Sequence, residues 1–246
     1  MEPILLARCD PEETFGVAPS TLEAAHAPVA IWEAIDGESR PSLEGLAGVI
    51  VFGSSYNVDQ ADEQPLIKEA RELTLEAIDR GLPFLGICFG SQLLAWSLGR
   101  DVVRAPEREV GYEPIVPTDP ASDDPLLAHY TDGDRVFQWH MDTYELPEGA
   151  TLLATGHHVR HQAYRIGDRA WGVQWHLDVD RPEVDLWLGS FEQLPGHDLE
   201  AMWGKPASVV RDEADRFHAD HERKGREVFT RFARFARSAF HAASTA

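Results

Sequence analysis

Residues 83–92, PFLGICFGSQ, place a cysteine between two glycines at the point where an apolar run gives way to a helical pattern. The run Phe84–Cys88 is short and apolar, which predicts a buried strand. A helix is predicted to start near Gly90 and to end around Gly99. A strand, a Gly-x-Cys-x-Gly turn and a helix in direct succession form the layout of a nucleophile elbow. The segment therefore predicts an α/β fold with Cys88 at a sharp turn.

Three short apolar runs upstream of the elbow predict further buried strands of the same sheet. Between the last of these runs and the elbow, apolar residues recur at helical spacing over Gln64–Arg80. Strand, helix and strand in this order imply a right-handed crossover and a parallel sheet. The three runs are Ile4–Ala7, Val29–Trp32 and Val49–Phe52.

Downstream of the elbow the pattern changes twice. Residues 101–176 contain strands and turns with little helix, and residues 182–240 are mostly helical with an amphipathic face. We expect one α/β domain over residues 1–246, with a mostly parallel central sheet flanked by helices, a smaller antiparallel region and a helical C-terminus that frays over residues 242–246. The clearer downstream strands are Val136–Trp139, Thr151–Ala154, Gln162–Ile166 and Ala170–Trp175.

The charge of the chain bears on its partners. Its 246 residues include 22 basic and 42 acidic side chains, for a formal net charge of −20. This charge repels phosphate backbones, which argues against nucleic-acid binding. No apolar run approaches the eighteen or so residues that cross a bilayer, and no secretory signal is visible at the N-terminus. We therefore expect a cytoplasmic protein with neither a membrane nor a nucleic-acid partner.

Cys88 has the surroundings of a catalytic cysteine. The helix N-terminus beneath it places positive partial charge near the sulfur, which favours the thiolate. Gly86 and Gly90 permit a turn that side chains would obstruct. The amide of Phe89 would point at the oxyanion that forms when the thiolate attacks a carbonyl. The alternative is a buried core cysteine, and that packing role is the preferred interpretation for Cys9, which lacks this context.

A thiol nucleophile needs a base, and the base needs a group that orients it. Residues 171–178, WGVQWHLD, end an apolar run with His176, and Asp178 follows two positions later. Residues i and i+2 of a strand point to the same face, so this carboxylate can reach the imidazole. The alternative is a surface turn, where His and Asp are common.

Together these motifs resemble those of class I glutamine amidotransferases, as a stand-alone domain similar to the glutaminase domain of GMP synthases. The elbow is similar to the family's Gly-x-Cys-x-Gly-x-Gln, and residues 171–178 are similar to its Gly-x-Gln-Phe-His-Pro-Glu. The resemblance implies the flavodoxin-like architecture of this family. It also implies hydrolysis of the γ-amide of glutamine through a Cys88–His176–Asp178 triad and a γ-glutamyl thioester, with no metal or organic cofactor.

The resemblance further implies which residues line the site. The oxyanion would rest on the backbone amides of Ser54 and Phe89. Trp139 lies where the family often has the serine of Ser-His-Gly-Asp, and its ring can form an aromatic wall. The substrate-binding residues implied in this way are Gly53, Gln92, Gln138 and Trp139.

Three positions depart from the family pattern. Ser54 replaces the second glycine of Gly-Gly-Pro, and Met141 replaces the glycine of Ser-His-Gly-Asp. Asp178 replaces the usual Glu and is shorter by one carbon–carbon bond, about 1.5 Å. For Asp178 to reach His176, the turn between these two residues must therefore be tighter than in the family, unless Asp180 or a water molecule helps to orient the imidazole.

Two histidine groups have spacings that zinc sites use, but neither shows a convergent further ligand. Solvated polar faces are the preferred interpretation of both. The groups are His157, His158 and His161, and His218 with His221 and Glu222.

Three functions remain open at this point. The first is a glutaminase that passes ammonia to a separate synthetase subunit. The second is a stand-alone hydrolase of γ-glutamyl peptides or conjugates. The third is a binding or regulatory module whose active site has drifted, which the changes at Ser54, Met141 and Asp178 would motivate.

Overall fold

A nine-stranded sheet runs through the computed structural model, which describes residues 2–244. Its strands are β1 (Ile4–Ala7), β2 (Val29–Trp32), β3 (Gly48–Val51), β4 (Phe84–Ile87), β5 (Val102–Pro117), β6 (Arg135–Tyr144), β7 (Thr151–Gly156), β8 (Ala163–Ile166) and β9 (Ala170–Val173). They lie side by side in the order β2-β1-β3-β4-β9-β8-β7-β5-β6. The predicted α/β class is confirmed.

The sheet has a parallel half and an antiparallel half. Strands β2, β1, β3, β4 and β9 pair in parallel. Strands β9, β8, β7, β5 and β6 pair antiparallel. The sheet is therefore mixed, and the predicted parallel arrangement holds for the half that carries the elbow. In that half the carboxyl ends of β1, β3, β4 and β9 open on one edge, which is where ligands bind in such sheets.

Helices cover both faces of the parallel half. Alternate strand residues point to opposite sides. Ile4 and Leu6 therefore share a core with the first and last helices, whereas Leu5 and Val49 share one with the second and third. The helices are α1 (Ala18–Ala24), α2 (Pro65–Asp79), α3 (Phe89–Ser97), α4 (Arg181–Gln193), α5 (Leu199–Trp203) and α6 (Ala207–Ser244), and short 3-10 segments lie at Ala34–Asp36, Val58–Asp62 and Asp119–Asp123.

A third core lies beside the antiparallel half. Residues of β5 and β6, such as Val110 and Phe137, pack there against α4, α5 and the first turns of α6. This packing brings α4 and α5 over the carboxyl ends of the parallel strands. The helical C-terminal region is therefore part of the surroundings of the elbow.

Two elements are absent from the sequence prediction. Strand β5 has 16 residues, but the first seven include charged, exposed side chains, and its register shifts between Arg104 and Glu109. Such a strand lacks a clear apolar alternation. Helix α1 has only seven residues and contains a proline in its first turn, which is too short for a helical period to emerge.

None of the helices within residues 2–244 combines the length and the apolarity that crossing a membrane requires. Helix α6 continues through Ser244. The fraying predicted for residues 242–246 concerns in part Thr245 and Ala246, which lie outside the described residues.

Candidate active site

Cys88 lies at the sharp turn between β4 and α3. Its backbone has φ +50° and ψ −108°, a conformation that side-chain-bearing residues rarely adopt. The turn is fixed by hydrogen bonds, because the amide of Cys88 donates to Val173 O at 2.8 Å and the hydroxyl of Ser91 donates to Cys88 O at 2.7 Å. The nucleophile elbow predicted from residues 83–92 is therefore present in the backbone.

The two glycines of the elbow are required by close backbone approach. A Cβ on Gly90 would lie 2.1 Å from the carbonyl oxygen of Val51, and one on Gly86 would lie 2.3 Å from the carbonyl oxygen of Gly90. Both distances are far below van der Waals contact. The spacing Gly-x-Cys-x-Gly thus follows from how tightly α3 packs against β3 and β4.

His176 is brought to Cys88 because β9 pairs with β4. Its amide donates to Phe137 O at 3.0 Å, which fixes the segment just after β9. A Cβ on Gly53 would lie 2.7 Å from Cε1 of His176 and 3.8 Å from Cβ of Cys88, so all three residues meet at one point. The imidazole is 4% exposed.

The electrostatic surroundings of His176 favour its protonated form. Burial lowers the pKa of His176, but the charge of Cys88 and the hydrogen-bonding and charge interactions with Asp178 and Cys88 outweigh burial and raise this pKa well above 6.5. A positive imidazolium is stabilised by the carboxylate of Asp178 beside it. The arrangement therefore favours a proton on His176, next to Cys88.

Asp178 faces His176 but does not reach full hydrogen-bond contact. Its Oδ1 lies 3.6 Å from Nδ1 of His176, longer than an ordinary hydrogen bond. Asp180 does not assist, because its side chain accepts from the amide of Glu183 at 2.9 Å and caps α4.

Asp178 instead belongs to a carboxylate cluster that sequence reasoning missed. Oxygens of Glu13, Asp178 and Glu183 lie within 4.8 Å of one another, and all three side chains are buried. Within residues 2–244, both oxygens of Asp178 and Oε2 of Glu183 have no hydrogen-bond partner. Among these residues the cluster is the one group of three or more ligand-type side chains close enough to hold a metal ion. Crowded buried carboxylates can also be accommodated by retaining protons.

Two pKa shifts favour retained protons in this cluster. Burial, followed by the charges of Asp178 and Glu183, raises the pKa of Glu13 well above 4.5. Burial, followed by the charge of Asp178, raises the pKa of Glu183 to about 7. A proton retained on Glu13 or Glu183 reduces the repulsion among the three buried carboxylates.

A Glu183→Gln variant should be more stable than the wild type above neutral pH. Between about pH 4.5 and 7 the folded protein holds a proton on Glu183 that the unfolded chain releases. The contribution of Glu183 to the free energy of unfolding is therefore complete below about pH 4.5 and is lost as the pH rises through about 7. Gln does not ionise and can still accept from Thr14. At pH 5 we expect the variant and the wild type to have similar melting temperatures. At pH 8 the variant should melt at a higher temperature, by about 2–4 °C for each kcal/mol that the substitution adds to the free energy of unfolding.

The control is Glu192→Gln on the same helix, which removes an exposed ion pair with Arg211. That variant should show no gain in melting temperature at pH 8. Equal stability of Glu183→Gln and wild type from pH 5 to pH 8 would contradict proton retention at Glu183.

The loop after β3 carries the residues predicted to hold the oxyanion. Ser54 lines the cavity beside Cys88, and its hydroxyl donates to Cys9 O at 2.9 Å. The amide and hydroxyl of Ser55 both donate to Asp10, at 2.7 and 2.6 Å. The serines that replace Gly-Pro therefore tie this loop to the end of β1. Phe89 is the first residue of α3, where an amide has no intrahelical acceptor.

Two glutamines lie beside the sulfur. Gln174 lies within the histidine motif, and its Nε2 donates to Sγ of Cys88 at 3.7 Å. Gln92 lines the cavity and donates to Asp142 O and Gln174 Oε1, at 3.2 and 3.3 Å. The i, i+2 spacing of Gln174 and His176 is the signal that could have identified Gln174.

Gln138 does not lie where the sequence prediction places it. It is fully buried, is not among the cavity-lining residues, and donates to Gln162 Oε1 at 2.7 Å. The structure therefore does not place Gln138 at the cavity, because its side chain lies against Gln162 instead. Its neighbour His140 is held between Asp142 O and Glu109 Oε2, at 3.0 and 2.9 Å, in a structural role.

The cavity beside Cys88 measures about 450 Å³. The cavity is lined by Cys88 and by five other residues that the sequence predicts for the site, which are Gly53, Ser54, Gln92, Trp139 and His176. The remaining lining residues are Asp10, Glu12, Glu13, Ser55, Tyr56, Asn57, His140, Met141, Asp142, Trp187, Ser190, Phe191, Leu194 and Trp203.

The second histidine group was predicted to be solvated, and this is wrong. His218 and His221 are 6% and 0% exposed. They pack against Tyr112, whose hydroxyl lies 2.7 Å from Nδ1 of His218. Burial lowers the pKa of His221 to about 3, so it is neutral. His157 and His158 are exposed, as expected.

Cys9 is fully buried, and burial raises its pKa to about 12. It therefore stays a thiol at neutral pH, which fits the packing role expected for it.

Comparison with known proteins adds the family. The family model described as glutamine amidotransferase class-I matches residues 21–185. The glutamine-hydrolysing GMP synthase of Porphyromonas gingivalis is 34% identical over 171 residues, which cover 68% of this chain and 31% of that protein. A glutamine amidotransferase-like protein of Salmonella typhimurium, YfeJ, is 30% identical over 148 residues, covering 59% of this chain and 62% of YfeJ. The chain thus spans about a third of the length of the GMP synthase it matches.

Two solved structures share the fold. A glutamine amidotransferase from Thermotoga maritima superposes with a TM-score of 0.83 at 24% identity, covering 94% of this chain and 98% of that one. A glutamine amidotransferase from Methylobacillus flagellatus gives 0.84 at 23% identity, covering 95% of each chain. At these identities the likeness establishes the fold.

Proposed function

The chain belongs to the class I glutamine amidotransferase family, and on that premise we propose that it hydrolyses γ-glutamyl amides, with free glutamine as the reference substrate. Cys88 is the nucleophile, His176 the acid and base, and Asp178 the orienting carboxylate. The observation that carries the proposal is the meeting of Cys88, His176 and Gly53 at one end of an open-sided cavity.

In the first half-reaction the thiolate of Cys88 attacks the γ-carbonyl carbon. The negative charge that develops on the carbonyl oxygen is stabilised by the amides of Ser54 and Phe89. The carbon–nitrogen bond then breaks, and His176 gives its proton to the departing nitrogen. The raised pKa of His176 keeps this proton available at neutral pH. The products are ammonia and a γ-glutamyl thioester on Cys88.

In the second half-reaction water replaces ammonia. His176, now neutral, takes a proton from the water, and the water oxygen attacks the thioester carbonyl. The carbon–sulfur bond breaks, glutamate leaves, and the thiolate–imidazolium pair is restored. The sum is one amide and one water converted into glutamate and ammonia. Gln174, whose amide donates to the sulfur, stabilises the thiolate at the start and end of the cycle.

Purified protein should release glutamate and ammonia from L-glutamine in a ratio of one to one. Asparagine, one methylene shorter, is the control, because its amide carbon cannot reach Cys88 while its amino-acid end occupies the glutamyl position. A protein that turns over neither glutamine nor any other γ-glutamyl amide would contradict the proposal and favour a drifted binding module.

If the protein supplies ammonia in the cell, its partner is a separate synthetase that accepts the ammonia. The support for such a partner is the match to part of a glutamine-hydrolysing GMP synthase. A glutaminase of this kind should turn over glutamine slowly alone and faster with its partner, whereas a stand-alone hydrolase needs no activation.

A further inference from the structure

We infer that the cavity contains a second subsite, built of aromatic side chains, that binds the amine half of a γ-glutamyl amide and selects large, apolar, uncharged amines. This inference rests on the proposed function, because it concerns the leaving group of the same reaction. It names the substrate class that the cavity fits better than free glutamine.

The cavity is larger than glutamine requires. At about 450 Å³ it falls in the range that takes drug-sized ligands. A water molecule occupies roughly 30 Å³ of the liquid, so this space corresponds to about 15 water-sized groups. Glutamine has ten non-hydrogen atoms, and covalent bonds hold them closer together than molecules in a liquid. Room is therefore left for a substituent on the amide nitrogen.

The position of His176 determines where that substituent must lie. In the proposed mechanism His176 protonates the leaving nitrogen, so this nitrogen sits next to the imidazole. The ring of Trp187 packs edge-to-face against the same imidazole, with ring centroids 4.9 Å apart. A group attached to the nitrogen is consequently placed beside Trp187.

Trp187 is part of an aromatic wall formed by Trp139, Trp187, Phe191 and Trp203. The ring of Trp139 lies 6.2 Å from Trp187, 6.0 Å from Phe191 and 6.0 Å from Trp203, measured between ring centroids. All four residues line the cavity. Trp139, Trp187 and Phe191 are only half-buried, so part of each ring remains available to a ligand. Aromatic rings bind apolar groups through large contact areas.

The charges of the cavity exclude an anionic amine half. Asp10, Glu12 and Asp142 line it, and no lysine or arginine does among the described residues. The amine half of a γ-glutamyl amino acid carries a carboxylate in addition to the α-carboxylate that all γ-glutamyl substrates share, and this second negative charge would find no cationic side chain beside the wall. The wall therefore favours an amine without a carboxylate over a peptide-type leaving group.

A matched substrate series tests the subsite. γ-Glutamyl-ethylamide and γ-glutamyl-phenethylamide have the same type of leaving nitrogen and differ by a phenyl ring. γ-Glutamyl-phenylalanine is the phenethylamide with an added carboxylate. We expect kcat/KM for the phenethylamide to exceed that for each of the other two at least tenfold, since even a single methylene in an apolar pocket changes kcat/KM about tenfold or more.

Phe191→Ala should lower the ratio of phenethylamide to ethylamide kcat/KM at least fivefold. Phe191 is the wall residue chosen because its ring is not among those packed against His176. Phe191→Leu, which keeps most of the volume, serves if the alanine variant does not fold. Trp96→Ala is the matched control, because Trp96 is a half-buried tryptophan on α3 that packs under Arg71 away from this cavity. In Trp96→Ala the ratio of phenethylamide to ethylamide kcat/KM should equal that of the wild type.

The outcomes separate the two proposals. Turnover of glutamine and ethylamide without a preference for the ring, or with the preference intact in the Phe191 variants, would overturn the subsite alone. Absence of turnover with every substrate would overturn the proposed function and the subsite with it.

Discussion

Replacing Cys88 with alanine should lower kcat for glutamine at least about 10⁴-fold. The loss is large because the thioester route needs the sulfur, and removing one member of a catalytic unit costs nearly as much as removing all of them. The variant should remain folded, because the side chain is small and its neighbours pack without it. The measurement is steady-state ammonia release, together with the melting temperature.

A Cys88→Gly variant is the folding control for this prediction. At φ +50° and ψ −108°, a Cβ is strained and glycine is not. Glycine should therefore be more stable than alanine at this position by about 1 kcal/mol, although both lack the sulfur. Activity retained in either variant would contradict the assignment of Cys88. Greater stability of the alanine variant would contradict the strained turn.

Replacing His176 with alanine should lower kcat about 10²–10⁴-fold, the range that positioned acid–base groups contribute. The imidazole both keeps the sulfur ionised and protonates the leaving nitrogen, so both half-reactions depend on it. In the wild type, activity should persist above neutral pH and fall as His176 loses its proton, because its pKa is raised well above 6.5. The measurement is kcat for glutamine across pH 6–10.

Asp178→Asn should cost less than His176→Ala. At 3.6 Å from His176 the carboxylate makes no close hydrogen bond to the imidazole, so less is lost when it is replaced. A larger loss of kcat in Asp178→Asn than in His176→Ala would contradict this geometry. His140→Ala is the comparison for a buried histidine that is held in a structural network. It should affect stability more than the pH profile.

The parts of the site that the sequence predicts are those coded by local spacing. The elbow follows from two glycines around Cys88, and the histidine motif follows from the end of a strand. The sequence pattern predicts both because a tight turn and a strand face each impose a short, fixed period. The five parallel strands of this half of the sheet follow from the same kind of local signal.

The carboxylate cluster could not be predicted in this way. Glu13 lies in the loop after β1, Asp178 follows β9, and Glu183 lies in the first turn of α4. Only the tertiary fold brings these segments together, for example where the amide of Val17 donates to Asp178 O at 2.8 Å. The aromatic wall has the same origin, since its residues come from β6, α4 and α5.

The position of Gln138 away from the cavity has a simple physical cause. Residues alternate across a strand, so Trp139 and Gln138 point to opposite faces of β6. Trp139 faces the cavity, and Gln138 is buried against Gln162. The resemblance identified the segment but not which of its residues face the substrate.

Mass spectrometry after reaction with a diazoketone analogue of glutamine tests the central claim most directly. We expect one adduct, on the peptide that contains Cys88, and we expect excess glutamine to protect that peptide from labelling. Cys9 is an internal control within the same molecule, because it is buried and its pKa is raised to about 12. An unlabelled protein, or label on Cys9 in place of Cys88, would contradict the account.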